Sequence, residues 1–294
     1  MPKTIVAIGE ALWDVFPDGR RPGGAPCNVA FHAARLGDRG VIVTRVGNDT
    51  AGEDLVEFLR ERDVVTDYVQ RDDTKPTGTV SVTIQDSDPR YEITEDVAWD
   101  FIAATDDNHA LVRTADAICV GSLAQRNAPT RAAVQQLLAD ASGRALVIFD
   151  ANLRPPFVDA EVIYETVRMS DVVKMSESEI AQVSSLLGKS PLTDWLLQNA
   201  GVRLVCVTRG KEGASIVTSQ GTVSAPGVEI DTSSGDAVGA GDAFTAAMAH
   251  QLAHNFAPQE ALRVATRYAS LVATKKGAMP AISADELLEN LNAH

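Results

Sequence analysis

Short apolar runs rich in valine and isoleucine recur at residues 4–8, 41–46, 117–120, 145–149, 171–175 and 203–208. They are near-continuous rather than alternating, which predicts strands buried on both faces. Between most of them lie segments with helical period, at 25–36, 51–62, 130–141 and 177–187. Strand and helix alternating in this way predict an α/β fold: a mostly parallel central sheet flanked by helices on both faces and joined by right-handed crossovers. The last third reads as helical, at 240–252, 258–275 and 284–291, with Gly277 as the C-cap of the second helix.

Two stretches break the rhythm. Residues 79–85, TVSVTIQ, alternate at period two, and Asp86-Ser87-Asp88-Pro89 leads into a second extended piece at 90–94. That pattern predicts a half-exposed antiparallel hairpin. Residues 12–22 look similarly extended and carry the turn formers Pro17, Gly19 and Pro22. Together, residues 12–22 and 77–98 predict a small antiparallel β lid, inserted twice over the strand ends where open α/β sheets bind ligands. No internal repeat or long linker interrupts the chain, so one domain over residues 1–294 is expected.

Composition narrows the partners. Forty acidic residues against 26 basic ones leave a formal charge of −14, so no long-range field draws in nucleic acid or anionic lipid. A bound phosphate would have to be held locally, by backbone amides, a helix N-terminus or a few placed basic side chains. Cys27, Cys119 and Cys206 are odd in number, widely spaced and set in apolar surroundings, which reads as reduced core thiols in a cytoplasmic protein. The opening MPKTIVAIGEAL has no cleavage-like small-residue site, and no run approaches ~18 uncharged apolar residues, so neither secretion nor a membrane span is expected.

The most informative segment for chemistry is Asp236-Ala237-Val238-Gly239-Ala240-Gly241-Asp242-Ala243-Phe244, which runs into the predicted helix at 240. Glycines at a helix start leave bare N–H groups at the positive end of the dipole, an anion hole for a phosphoryl oxygen. A carboxylate at Asp242 beside that hole could take the proton of an attacking hydroxyl. A helix cap and a simple chain turn account for the same residues equally well.

Other motifs fail. Gly188-Lys189-Ser190 resembles the end of a P-loop, but Val183 stands where its first glycine belongs. Phe244 stands where a dinucleotide fingerprint needs its third glycine. His250 and His254 are four apart on one helix, but with no third ligand evident a solvated face is expected.

Gly23-Gly24-Ala25-Pro26-Cys27-Asn28-Val29-Ala30 and Gly239-Ala240-Gly241-Asp242-Ala243-Phe244, in that order near opposite ends of the chain, carry a family resemblance. The whole chain resembles the ribokinase-like (pfkB) carbohydrate kinases. The tracts Gly9-Glu10-Ala11-Leu12-Trp13-Asp14, Gly121-Ser122-Leu123-Ala124-Gln125-Arg126 and Asp150-Ala151-Asn152-Leu153-Arg154 look most like the fructokinase branch.

The resemblance implies an ATP-dependent, Mg²⁺-requiring sugar kinase. Asp242 would be the general base, and the amides of Gly239, Ala240 and Gly241 would form the anion hole. Asp14, Gly23, Gly24 and Asn28 would bind sugar, with Asn152 and Arg154 facing substrate or the γ-phosphate. Lys174 and Glu179 lie in the segment where the family usually shows Asn-x-x-Glu, its Glu supporting Mg²⁺ through water; Ser176 stands in place of the Asn and also suits a helix cap. Thr208, Gly210 and Gly213 match the loop along the nucleotide, a segment that also reads as a plain turn. Asp236, Val238 and Gly277 match the loops that hold K⁺ in many relatives, and pairing of lids into a homodimer is implied as well.

Free fructose is the first expectation for the substrate. In an extended strand, adjacent side chains point to opposite faces, so Arg20 and Arg21 cannot both clamp a sugar phosphate. The competing readings are a kinase for 2-keto-3-deoxygluconate, ribose or a nucleoside on the same fold, and a non-catalytic sugar or nucleotide sensor.

Overall fold

The computed structural model describes residues 1–85, 88–229 and 235–292. The strands are β1 (Thr4–Ile8), β2 (Leu12–Phe16), β3 (Gly19–Gly23), β4 (Arg39–Gly47), β5 (Val69–Asp72), β6 (Gly78–Gln85), β7 (Asp88–Ile93), β8 (Ala117–Gly121), β9 (Leu146–Asp150), β10 (Val172–Ser176), β11 (Leu204–Thr208), β12 (Ala214–Thr218) and β13 (Gly221–Ala225). The helices are α1 (Ala25–Arg35), α2 (Thr50–Arg60), α3 (Asp106–Val112), α4 (Ala128–Ala141), α5 (Ala160–Arg168), α6 (Glu177–Leu187), α7 (Leu192–Asn199), α8 (Ala240–Ala253), α9 (Pro258–Ala273) and α10 (Ala284–Asn292). Each apolar run and helical segment read from the sequence appears within a few residues of its expected bounds. No helix among the described residues is long and apolar enough to cross a membrane.

The large sheet has the order β13-β12-β11-β10-β9-β8-β1-β4-β5. Pairing is parallel from β5 through β11 and antiparallel only at the β11–β12–β13 edge. Alternate residues of each central strand enter two separate apolar layers. Ile5, Ala7, Ile42, Ala117, Cys119 and Cys206 pack with α1, α2, α8 and α9 on one face. Val6, Ile8, Val41, Val43, Ile118 and Val120 pack with α3–α7 on the other. This is the double burial that the near-continuous apolar runs imply. All three cysteines are free and buried.

The chain leaves β1 toward β4 on one side and later builds β8 on the other, so the order reverses between β1 and β8. A crevice at the carboxyl ends of the strands opens at such a point. Over it lies the four-stranded sheet β3-β2-β6-β7. Its two hairpins are antiparallel, and parallel pairing of β2 with β6 joins them. Residues 86 and 87 of the hairpin turn lie outside the described residues.

Gly277 does not cap α9 as expected. That helix ends at Ala273 with Thr274 as its C-cap, and Gly277 lies beyond it with a left-handed φ of 79°.

Candidate active site

The crevice between β1 and β8 is a cavity of about 690 Å³, lined at its base by Glu10, Gly121, Ser122, Asp150, Asn152 and Asp242. The lid contributes Leu12, Asp14, Val80 and Ile93, three apolar side chains and one carboxylate.

Helix α8 starts at this cavity. Its N-cap, Gly239, has φ of 76°, and a Cβ there would overlap both backbone and side chain of Ala278. No side chain caps the helix, and both Gly239 and Gly241 line the cavity. The bare amides and the positive end of the dipole are therefore available to an anion. Ala240 differs from its neighbours: it does not line the cavity, and its N–H turns back to the Ala237 carbonyl at 3.3 Å.

Asp242 sits buried in the first turn of α8. Asn28 Nδ2, from α1, donates to its Oδ2 at 2.6 Å, and Asn152 Nδ2 approaches Oδ1 at 3.5 Å. Burial raises the Asp242 carboxyl to about 6, with Asp150 adding to the rise while the Asn28 bond, Lys174 and Arg154 oppose it. Such a group is ionised at neutral pH yet basic enough to accept a hydroxyl proton. Asn152 itself has φ of 37°, a strained value for a residue with a side chain.

The sugar-side expectations converge on the same space. Asp14 faces the cavity from β2, and burial raises its carboxyl to about 6 against the pull of Arg154 and Arg21. Gly23 is not a wall residue; a Cβ there would overlap the Asp14 carboxylate across the β2–β3 pair, so its bareness makes room for that side chain. Gly24, with φ of 103°, has a similar constraint against the Glu10 carbonyl. Arg154 lines the cavity and donates to the backbone oxygens of Asn152 and Leu153, at 3.4 and 3.1 Å. Arg20 pairs with Asp54 and lies over Trp13, while Arg21 pairs with Asp18 at 2.9 Å over Phe16; neither lines the cavity.

Lys174, at 8% exposure on β10, lies behind the helix start rather than in the cavity wall. Its Nζ donates to both oxygens of Asp150, at 3.0 and 2.9 Å, and Thr245 Oγ1 donates to Asp150 Oδ2 at 2.6 Å. Burial works against the Lys174 charge, but the Asp150 pairing outweighs it and holds the ammonium above its ordinary range. The ion pair thus braces β9, β10 and α8 against one another directly under the anion hole.

Glu179 is engaged in holding the chain. Its Oε1 accepts from the Leu153 amide at 2.7 Å, and its Oε2 accepts from the Ser176 amide at 2.7 Å and the Ser176 hydroxyl at 2.9 Å. Ser176 Oγ in turn caps α6 at the Glu179 amide, a reciprocal capping box. The helix-cap reading of Ser176 is the one the geometry supports.

Thr208, Gly210 and Gly213 do not line the cavity. Thr208 ends β11, paired with Ser176 of β10, and Gly210 and Gly213 follow it, Gly213 packing against the 225–227 backbone with φ of 96°. Asp236, Val238 and Gly277 do come together: the Asp236 carboxylate accepts from the amides of Val238 and Gly277 at 3.2 Å.

Two acids at the site escaped the sequence reading as functional positions. Glu10, 4% exposed, follows β1, and Asp150 ends β9. Glu10 lines the cavity with Oε2 unpartnered, and burial pushes its carboxyl up to about 7. The available signal was position: a charged residue at the end of an apolar parallel strand faces the ligand crevice.

The expectation for His250 and His254 is corrected. Both rings turn onto Asp38, a carboxylate at 1% side-chain exposure, so a third candidate ligand is present and the rings, though part-exposed, are engaged with a buried acid rather than free in solvent.

The sequence profile of the pfkB family of carbohydrate kinases matches residues 10–285. Fructokinase-2 of Oryza sativa subsp. japonica is 29% identical over 311 residues, covering 96% of this chain and 91% of the plant protein. The crystal structure of an uncharacterized sugar kinase from Pyrococcus horikoshii in complex with ATP is 30% identical, with a TM-score of 0.87 over 97% of each chain. A fructokinase with bound ATP from Xylella fastidiosa is 26% identical, with a TM-score of 0.90 over 99% of this chain and 98% of the other.

Proposed function

The chain belongs to the pfkB family of carbohydrate kinases, and from that premise we propose that it transfers the γ-phosphoryl group of ATP to a primary hydroxyl of free fructose. The observation that carries the reading is the Asp242 carboxylate, raised to about 6 by burial and set beside the bare start of α8 within a lidded cavity. The sugar hydroxyl gives its proton to Asp242 as its oxygen forms the bond to phosphorus, and the bond to the ADP oxygen breaks. The Gly239 and Gly241 amides stabilise the charge on the transferring group, joined by Ala240 if it exchanges its long bond to Ala237.

Asp14, Asn28 and Asn152 supply the fixed acceptors and donors a polyol needs, with Gly24 allowing close approach and Gly23 making room for the Asp14 carboxylate. Arg154, which lines the cavity, is the cation for the γ-phosphate. The fructokinases among the relatives favour fructose, and the engagement of Arg20 with Asp54 of α2 and Trp13, and of Arg21 with Asp18 and Phe16, favours an unphosphorylated acceptor. Lid closure excludes water and so prevents ATP hydrolysis.

The nucleotide would lie from the cavity across the ends of β10 and β11 to Thr208, Gly210 and Gly213, more than two strand spacings, or over roughly 10 Å, from Asp150. Mg²⁺ neutralises phosphate charge when bound. Glu179 and Asp150 fit it only through water, because donors already occupy part of each carboxylate, and Mg²⁺ characteristically keeps several waters. The turn gathered around Asp236 by Val238 and Gly277 would hold K⁺ beside the anion hole. A single domain over the whole chain and a homodimer formed through the lids complete the reading.

The test is a coupled ADP-release assay with ATP, Mg²⁺ and K⁺ against fructose, ribose, 2-keto-3-deoxygluconate, fructose 6-phosphate and adenosine. Turnover on fructose is expected, with Asp242→Asn lowering kcat by roughly 10²- to 10⁴-fold while ATP binding persists. Turnover on another acceptor with none on fructose overturns the substrate. An active Asp242→Asn enzyme overturns the base.

A further inference from the structure

The far end of α8 carries a second cluster. His250 Nδ1 lies 2.6 Å from Asp38 Oδ2, and His254 Nε2 lies 2.9 Å from Asp38 Oδ1. The three ligand-type atoms all fall within 4.8 Å of one another. Asp38 joins α1 to β4, so the group forms only when residues more than 200 positions apart meet. It lies at the amino ends of the strands, opposite the cavity. Along the helix, His250 is about 12 Å from Asp242.

We propose that Asp38, His250 and His254 form a site for a borderline divalent transition metal of the Zn²⁺ class, which clips the end of α8 to the start of β4. Two imidazole nitrogens and one carboxylate oxygen are the donor set such ions take, with a fourth position left to water. Bond lengths of about 2.0–2.2 Å place neighbouring ligands of a tetrahedral site roughly 3.4 Å apart. Small side-chain rotations reach that spacing from the present one.

Three further observations fit an ion. The Asp38 carboxylate is held in place by the Lys3 amide at 2.9 Å, the kind of outer contact that orients a ligand. The imidazoles are 18% and 24% exposed, which leaves an entry path and room for water. The Asp38 carboxylate sits at the carboxyl-terminal, negative end of the α8 dipole, an arrangement that a bound cation relieves. Binding replaces two hydrogen bonds. Each ring proton now facing Asp38 moves to the other ring nitrogen, which exchanges it with solvent, so the freed nitrogen lone pairs and one carboxylate oxygen bond the metal without net proton release.

The experiment titrates the chelator-treated full chain with Zn²⁺ by calorimetry and with Co²⁺ by visible absorption. One saturable equivalent and the ligand-field bands of nitrogen-bound four-coordinate Co²⁺ are expected, together with a rise in Tm. His254→Gln should weaken binding by at least about tenfold, and His250→Gln/His254→Gln should abolish it. Circular dichroism and metal-free Tm verify that the variants are folded. The absence of saturable binding to the wild-type chain, or an unaltered equivalent in the folded double variant, overturns the site. Should the double variant fail to fold, the wild-type Co²⁺ spectrum decides alone: bands without nitrogen ligation refute the assignment.

Discussion

Replacing Asn28 by leucine tests the environment of the proposed base. Asn28 Nδ2 donates to Asp242 Oδ2 at 2.6 Å in a buried setting, and that bond is the leading influence holding the carboxyl down against burial. A hydrogen bond to a charged group is worth about 1.5–3 kcal/mol. At 1.36 kcal/mol per pH unit, its loss raises the carboxyl by about one to two pH units. Leucine is nearly isosteric and keeps water from substituting for the amide. The acidic limb of kcat/KM for the sugar, which reports the free enzyme, should therefore move from about 6 in the wild type to about 7–8 in Asn28→Leu. Glu10 titrates near 7 in the same cavity, so the pair releases its protons in two macroscopic steps. Measuring both enzymes in a Glu10→Gln background removes that step, and Asp14, also raised to about 6 in this cavity, is common to both enzymes, so the difference between their limbs isolates Asp242. Lost sugar contacts lower the plateau of the variant but leave the limb where the base puts it. A plateau that falls with an unmoved limb would refute the coupling of Asn28 to the base.

Further outcomes follow from the same network. Gly239→Ala should introduce roughly 1–3 kcal/mol of strain at the left-handed helix start facing Ala278, lowering kcat/KM about tenfold or more; unchanged kinetics would show that the helix start tolerates displacement. Lys174→Met strands Asp150 without its cation and should cost about 3–5 kcal/mol in urea unfolding; a loss under about 1 kcal/mol would mean the pair is not a brace. His32 is buried between the Tyr268 hydroxyl and the Ala278 carbonyl, and burial lowers its pKa to about 4. The unfolded imidazole takes up a proton as pH falls through about 6.5 while the folded one stays neutral to about 4, so this group's contribution to stability is lost across that window. The stability advantage of wild type over His32→Gln should shrink by about 3 kcal/mol between pH 7 and pH 4, and a pH-independent gap would refute the assignment.

Much of the architecture was legible in one dimension. Strand residues such as Val6 and Ala7 look alike in a near-continuous apolar run, yet that continuity is itself the sign of burial on two faces. The period-two run at β6 and the turn formers around β2 and β3 marked a separate, half-exposed sheet. Less legible were β5, β12 and β13, which are short and carry polar or exposed positions, so their identity depends on the sheet edge they join. The parallel pairing of β2 with β6 was also invisible, because nothing local relates strands separated by α1, β4 and α2.

At the site, the sequence by itself determined which groups are available. The glycines at 239 and 241 leave amides bare, Asp242 follows in the first helical turn, and Gly23 and Gly24 carry no side chain; these are local backbone and residue-type properties. Only tertiary structure decided what each group touches and therefore how it titrates. Asn28 and Asp242 are 214 residues apart and meet at 2.6 Å, Thr245 and Lys174 converge on Asp150, and Asp38 turns a bare histidine pair into a three-ligand cluster. The physical reason is common to all three. Helix and strand periods act over a few residues, whereas desolvation, hydrogen bonding and charge act through space at a few ångströms, and only the packed sheet brings those distances into being.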